Sequence, residues 1–414
     1  MEVPRADLIV YNIGVLLTFS DTPLGRVDWE RAGILNNTGV AVKNGVIVEV
    51  GPSTWIRSRY EASEAIDAGG RLVTPGLIDI HTHPLFHGSR ADELEMKLIG
   101  YSYREILARG GGIYRTVEAT RRASDGELLE SLLSILDVML EGGTTTVEVK
   151  TGYGLDPGEE WRHLKLLGEA ASMSKVGLVR TLLVHVPPRD RDRGRYVEEM
   201  AGLASRTGRE GMADYIDVFC DKGAFTVDET RTILSAGLRA GLRARLHADQ
   251  LSYIGCSLLA GEMQIDSVEH LENMPPANAE VLARSGSVAG LLPTSIMAMM
   301  QDERPPVGAL RRTGVPIALG SDYNANNMTP LVQTSVQVAP YVLGLTQLEA
   351  LAGATYVAAR SLGLSDRGRV RPGMRGDLAL WRVEDPREVG YVWGLNLVET
   401  VIVGGVVVKR RRGC

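Results

Sequence analysis

Two histidines one residue apart, His81-Thr82-His83, directly follow the apolar run Leu77-Ile78-Asp79-Ile80 in a chain that holds only 7 histidines. Alternate side chains of a β-strand share a face, so an H-x-H at a strand's end turns both imidazoles the same way, as a divalent metal requires. Taken alone, the pair reads equally well as two exposed histidines at a strand end. Its surroundings favour chemistry: Pro75-Gly76 sets up the strand, and His185, His247, His270 and Asp322 each follow or end a later apolar run. Another run passes through Lys150 into Thr151-Gly152-Tyr153-Gly154, and of all the histidines only His163 falls inside a helical pattern.

His81, His83, His247 and Asp322 together offer three imidazoles and a carboxylate, a ligand set that suits zinc or iron and not calcium. A metal held there would acidify a bound water toward neutrality, giving a nucleophile for a carbonyl or amidine carbon, with Asp322 able to accept the proton. Because an imidazole ordinarily titrates near working pH, His270 is a candidate for polarising a substrate or shuttling a proton; it also reads as a support for a neighbouring ligand. Arg90 and Tyr153 could hold an anion, a guanidinium gripping carboxylate in a fork and a phenol adding one donor, although each alone also reads as a surface ion pair or a packed tyrosine.

To act together, these residues must lie on elements that converge. Eight short apolar runs, over 77–81, 145–150, 179–185, 215–220, 243–247, 267–270, 287–292 and 316–321, alternate with helical patterns, which is the rhythm of β/α units around a closed parallel barrel. Ser124 with Glu127 forms a capping box ahead of Leu128, Leu129, Leu132, Leu133 and Leu136, and Gly142-Gly143 stops that helix. The first seventy residues are β-rich, with a type I′ hairpin signal at Asn44-Gly45, and the same style returns at Asp377–Trp381 and Val401–Val408. The expected fold is therefore α/β: a (β/α)8 TIM-type barrel over 73–371 and a small β-sandwich domain made by both chain ends, 1–72 and 372–414. The stretch from Pro84 to Gly112 is the largest insertion, on the first βα loop, where this fold places active-site residues.

With 414 residues, 44% hydrophobic, the chain can bury a large core, and a net charge of -6 with interspersed signs argues against a nucleic-acid partner. No apolar stretch approaches the length of a membrane span and no secretory leader is visible, so the expectation is a cytoplasmic protein without a membrane partner. The run Lys409-Arg410-Arg411-Arg412 reads as a solvated tail. Cys220, Cys256 and Cys414 are too few and too scattered for a disulfide framework and form no C-x-x-C motif.

Pro75-Gly76-Leu77-Ile78-Asp79-Ile80-His81-Thr82-His83 resembles the opening motif of the amidohydrolase superfamily. Within it, Gly88–Leu94, Gly110-Gly111-Gly112-Ile113, Val147–Leu155, His247–Ser252 and His270-Leu271-Glu272 look like the imidazolonepropionase subfamily over nearly the whole chain. The resemblance implies hydrolysis of 4-imidazolone-5-propanoate, a small molecule with a carboxylate side chain, to N-formimidoyl-L-glutamate. It implies a single zinc or iron on His81, His83, His247 and Asp322, and substrate contacts from Arg90, Tyr153, His185, Gln250 and Asn324. The neutral amide of Gln250 can orient a substrate but not shuttle a proton, which leaves the acid/base steps to His270 and Asp322. Two-metal relatives often use a carboxylated lysine on strand four; that strand ends here in Phe219-Cys220-Asp221, so one metal is expected. A homodimer is expected from the family and from the commonness of two-fold assemblies.

The chain departs from the subfamily in two places. After strand eight it reads Asp322-Tyr323-Asn324-Ala325-Asn326-Asn327, with Asn326 and Asn327 replacing the glycine and threonine that would meet the carboxylate end of the substrate. Leu183–Pro188 looks shortened beside the family's Gly-Ala-His-Ala-x-Pro. Both bear on the side-chain pocket more than on the metal chemistry.

Overall fold

A computed structural model describes residues 3–410 apart from 26, 102–104 and 107–108. Cys414 and the end of the basic run, Arg411-Arg412, lie outside the described residues.

The chain opens with β1 (Arg5–Leu17), β2 (Ile34–Lys43), β3 (Val46–Pro52), β4 (Glu61–Asp67) and β5 (Leu72–Pro75). The turn between β2 and β3 places Asn44 and Gly45 at φ 50° and 78°, the two positive values that a type I′ hairpin needs. The long β1 pairs with β4 through its first half and with β5 through its second, while β2 runs antiparallel along it. Far along the chain, β14 (Leu378–Trp381), β15 (Val398–Val403) and β16 (Val406–Arg410) complete this sheet, β14 lying antiparallel to β5. Leu8, Val10, Val40 and Val42 from the first strands share one buried core with Leu378, Leu380 and Ile402 from the last. Trp381 is fully buried and its indole N–H donates to Thr74 Oγ1 at 2.9 Å.

The second sheet is parallel and all eight of its strands follow one another: β6 (Leu77–Asp79), β7 (Thr144–Lys150), β8 (Gly177–Val184), β9 (Tyr215–Cys220), β10 (Arg243–Ala248), β11 (Ser267–His270), β12 (Val288–Leu291) and β13 (Ile317–Leu319). Each falls on one of the eight apolar runs. Between β13 and β6 the ring closes through single bonds instead of a ladder. Asp79 Oδ1 accepts from Ser321 N at 3.0 Å, His81 O accepts from Asp322 N at 3.0 Å, and Tyr323 O accepts from His83 N at 2.8 Å. Gly76, at the passage from one sheet to the other, is sterically required, since a Cβ there would stand 2.4 Å from the Thr145 side chain.

The capping box holds as the spacing predicts: Ser124 and Glu127 bond reciprocally at the start of the Asp125–Glu141 helix, which buries Leu128, Leu132 and Leu136 against the barrel and ends at Gly142. One expectation is corrected. Cys220 and Cys256 are joined in a disulfide, with Cα atoms 5.8 Å apart, although 36 residues separate them. They meet because Cys220 ends β9 while Cys256 follows the exit loop of the adjacent strand β10, a proximity that spacing alone does not encode. It is a single crosslink between neighbouring loops, and both cysteines are fully buried.

Candidate active site

Parallel strands deliver their C-terminal ends to one mouth, so residues far apart in sequence gather there. His81 and His83 leave β6, His185 follows β8, His247 lies on β10, His270 ends β11, and Asp322 stands just beyond β13. The backbone is strained at these exits: Asp249, His270, Leu271 and Asp322 all adopt positive φ, at 54°, 74°, 72° and 50°. A cavity of about 260 Å³ opens above them.

Nε2 of His81 and Nε2 of His83 face each other at 3.1 Å, and Asp322 Oδ1 stands 3.6 Å from the first and 3.4 Å from the second. The other nitrogen of His81, Nδ1, is taken by Glu269, and Nδ1 of His247 stands 2.9 Å from Asp217 Oδ2. Glu269 favours the ring proton of His81 on Nδ1, and Asp217 beside Nδ1 of His247 favours the same orientation there, which leaves the Nε2 lone pairs facing inward. Burial drives the pKa of His81 well down and that of His247 to about 4, the latter against the pull of Asp217, so both rings are neutral near pH 7. Nε2 of His247 is buried without a hydrogen-bond partner among the described residues. Ligand atoms from His81, His83 and His247 lie within 4.8 Å of one another, as do those of His81, His270 and Asp322. Converging lone pairs beside a carboxylate are satisfied by a cation, and this donor set fits a divalent metal with nitrogen and oxygen preference.

Asp322 is tightly oriented: Ser295 Oγ donates to its Oδ2 at 2.5 Å and Asn324 Nδ2 to its Oδ1 at 3.0 Å. Burial opposes its charge, but His83 and His270 outweigh that and hold the carboxyl below the usual range. For His270 burial again disfavours the cation, and Glu272, whose Oε1 is 3.6 Å from Nδ1, reverses the balance and raises the pKa.

Below this cluster the barrel interior holds charge that the sequence reading missed. Lys150 is completely buried, its Nζ 2.8 Å from Glu148 Oε1, 2.8 Å from Asp217 Oδ2 and 3.5 Å from Glu269 Oε2. Burial works against the ammonium, and the three carboxylates more than offset it, raising its pKa. Arg245 caps the other oxygen of Glu269 and donates to Ile80 O at 2.9 Å. The carboxylates that orient His81 and His247 are thus themselves held by Lys150 and Arg245. Each charged residue, met singly in a strand, looks like a break in an apolar run; alternation along β7 and β10 is the signal that could have shown Glu148, Lys150, Arg245 and His247 facing one interior.

On the cavity wall stand Arg90, Tyr153, His185, Gln250, Asn324 and Asn326. His185 donates from Nδ1 to Gly152 O at 3.2 Å and, neutral through burial, presents Nε2 as an acceptor. Its ring stacks on His83 at 5.4 Å between centroids. Tyr153 packs edge-on to His185 and is kept protonated by burial. Arg90 gives both Nε and Nη2 to Glu93, at 2.9 and 2.7 Å. Asn327 is placed otherwise: its Nδ2 turns away from the cavity to brace the carbonyls of Ser321 and Asp322, at 2.9 and 3.1 Å. Ser295 and Lys97 line the cavity and were not anticipated.

The amidohydrolase family model matches residues 72–408. Among curated relatives, the imidazolonepropionase of Pyrobaculum arsenaticum is 46% identical over 91% of this chain and 93% of its own, and that of Paracoccus denitrificans 41% identical over 91% and 95%. The imidazolonepropionase of Caldanaerobacter subterraneus subsp. tengcongensis is 37% identical over 96% and 97%. Solved structures share the architecture at lower identity. A zinc-bound adenosine deaminase from Xanthomonas campestris superposes with a TM-score of 0.72 at 18% identity, over 98% of this chain and 93% of that one. A zinc complex of atrazine chlorohydrolase from Arthrobacter aurescens gives 0.71 at 19%, over 97% and 95%. The chain belongs to the amidohydrolase family and, within it, to the imidazolonepropionases, hydrolases of a cyclic C–N bond.

Proposed function

We propose that this chain hydrolyses 4-imidazolone-5-propanoate to N-formimidoyl-L-glutamate, in histidine degradation, on a single divalent ion held by His81, His83, His247 and Asp322. The observation that carries the reading is the convergence of three imidazoles and one carboxylate on the floor of a cavity whose wall carries cations, in a chain alike to imidazolonepropionases along almost its full length. Zinc or iron bound there would acidify a water and polarise the ring carbonyl.

The protein's own residues account for the rest. Asp322, fixed by Ser295 and Asn324, accepts the proton of the attacking water. His270, whose cationic form is supported by Glu272, donates a hydrogen bond to the developing oxyanion and then a proton to the departing ring nitrogen. His185 and Tyr153 hold the ring against the His83 edge, and the Gln250 amide orients its nitrogen. Arg90 and the loop Asn324–Asn327 face the propanoate side, with Asn327 acting through the backbone it braces. We read the protein as a cytoplasmic homodimer without nucleic-acid or membrane partners, its barrel spanning 73–371 and its composite β unit 1–72 with 372–414. No helix among the described residues is long and apolar enough to cross a membrane.

The test is ultraviolet loss of freshly prepared 4-imidazolone-5-propanoate, with metal content measured on the same sample. Wild-type protein is expected to carry about one equivalent of zinc or iron and to turn over rapidly, and His247→Ala to lose both. A metal-free His247→Ala that remains active sinks the site, and a metal-bound wild type without turnover moves the substrate to another ring.

A further inference from the structure

Lys97 lies on the Ala91–Leu98 helix in the first βα insertion, half-buried, and its side chain lines the same cavity as Arg90. The two cations differ in what already neutralises them. Arg90 spends Nε and Nη2 on Glu93, a carboxylate only 1% exposed whose other oxygen accepts from Gly112 N at 2.8 Å. Lys97 meets a neutral group instead: Nζ donates to Asn326 Oδ1 at 2.8 Å, and among the described residues no carboxylate forms a direct ion pair with it, Glu93 acting on it only at longer range. Asn326 is itself positioned, since its backbone N–H donates to Asn324 Oδ1 at 2.8 Å and its Nδ2 to Met299 Sδ at 2.8 Å. Half-buried charge without a directly bonded counter-ion is costly, and the deficit is made good when an anion arrives. Burial and then the charge of Arg90 lower the lysine's pKa and outweigh the opposing pull of Glu93, which agrees with an ammonium that lines the cavity with a second cation.

Resting on the reading above, we propose that Lys97, steered by Asn326, is the cation that recognises the substrate's carboxylate and sets this enzyme's preference for acid over neutral side chains. Arg90 then acts as a pre-neutralised wall whose remaining N–H groups complete the clamp. The glycine-to-asparagine departure at position 326 gains a purpose: a glycine has no side chain to hold the ammonium, and Asn326 supplies the acceptor that aims it. Lys97 is a specificity-determining residue, and the reacting ring is left to the floor of the cavity.

The experiment pairs turnover with binding, on the metal-loaded full chain. The binding probes are 3-(imidazol-4-yl)propanoate and its carboxamide, followed by titration calorimetry. Wild type should bind the acid more tightly than the amide, and Lys97→Met should reduce that preference by roughly 10- to 100-fold, as expected for a charge-assisted hydrogen bond. Lys97→Arg should restore most of it, with metal content and melting temperature unchanged in both variants. With 4-imidazolone-5-propanoate, Lys97→Met should raise KM by a similar factor and change kcat little. Asn326→Gly should lower the acid preference in wild type and have no further effect in Lys97→Met. A Lys97→Met protein that keeps its preference, or a wild type that has none, overturns the proposal. Acid preference without turnover of the imidazolone would overturn the substrate reading and leave Lys97 in place.

Discussion

A buried lysine touching three carboxylates lies behind the site's histidines, and its consequence at the residue scale is a chain of orientation. Lys150 holds Asp217 and Glu269, which stand against Nδ1 of His247 and of His81 and leave the two Nε2 atoms for the site. Supporting groups of this kind commonly alter metal affinity 10- to 100-fold when removed. Lys150→Met is therefore expected to weaken metal binding by roughly that factor in chelator competition. Because it strands buried carboxylates, it should also cost about 3–5 kcal/mol in urea unfolding. Unchanged metal affinity would mean that the histidines hold their orientation without the lysine.

At the scale of elements, the exit loop of β10 shows how a flexible-looking segment is made rigid enough to present Gln250 and Leu251. Asp221, at the end of β9, accepts from Leu251 N at 2.7 Å and from Ser252 Oγ at 2.6 Å, and the Cys220–Cys256 link ties the far side of the same loop. Asp221→Ala removes the polar half of that anchor. Amide exchange over 250–256 should then quicken by roughly 10- to 100-fold, the expected worth of hydrogen bonds to a charged group. KM should rise while metal content stays the same. Equal exchange rates in the two proteins would assign the anchoring to the disulfide alone. The strands themselves were legible because apolar runs and H-x-H at a run's end are local patterns, as are the Ser124–Glu127 cap and the Asn44-Gly45 turn. What spacing could not show depends on contacts across the barrel: the meeting of Cys220 with Cys256, the inward charges around Lys150, and the inward turn of Asn327 toward its own backbone. The same holds for Lys97, whose helix sits in an insertion with no periodic partner.

Stability belongs to the whole molecule, and one histidine outside the site links it to pH. His163, on the Pro157–Met173 helix, is fully buried with both ring nitrogens unpaired among the described residues. Burial, helped by the charges of Arg162 and Arg121, lowers its pKa from 6.5 to about 4. Between those values the unfolded chain binds a proton that the folded protein refuses. The contribution is thus fully present above pH 6.5 and is lost as pH falls through 4, amounting to about 3 kcal/mol at most. Comparing urea unfolding at pH 7, 5.5 and 4, His163→Phe should lose less stability on acidification than wild type, by up to that amount. Parallel curves would show that the buried ring takes up its proton as readily as the unfolded chain.

The pairing of β5 with β14 has a consequence for synthesis. β1 to β5 leave the ribosome about 300 residues before β14 and β15, whose Leu378 and Ile402 cover the same apolar core. At ribosomal speeds of roughly 5–20 residues per second, the nascent half-sheet waits about 15–60 s with the free edge of β5 and the faces of Leu8 and Val10 uncovered. The barrel can form during that interval, so the last piece of the enzyme to fold is built from one of the first to be made, and a chaperone that shields a β edge would find its client there.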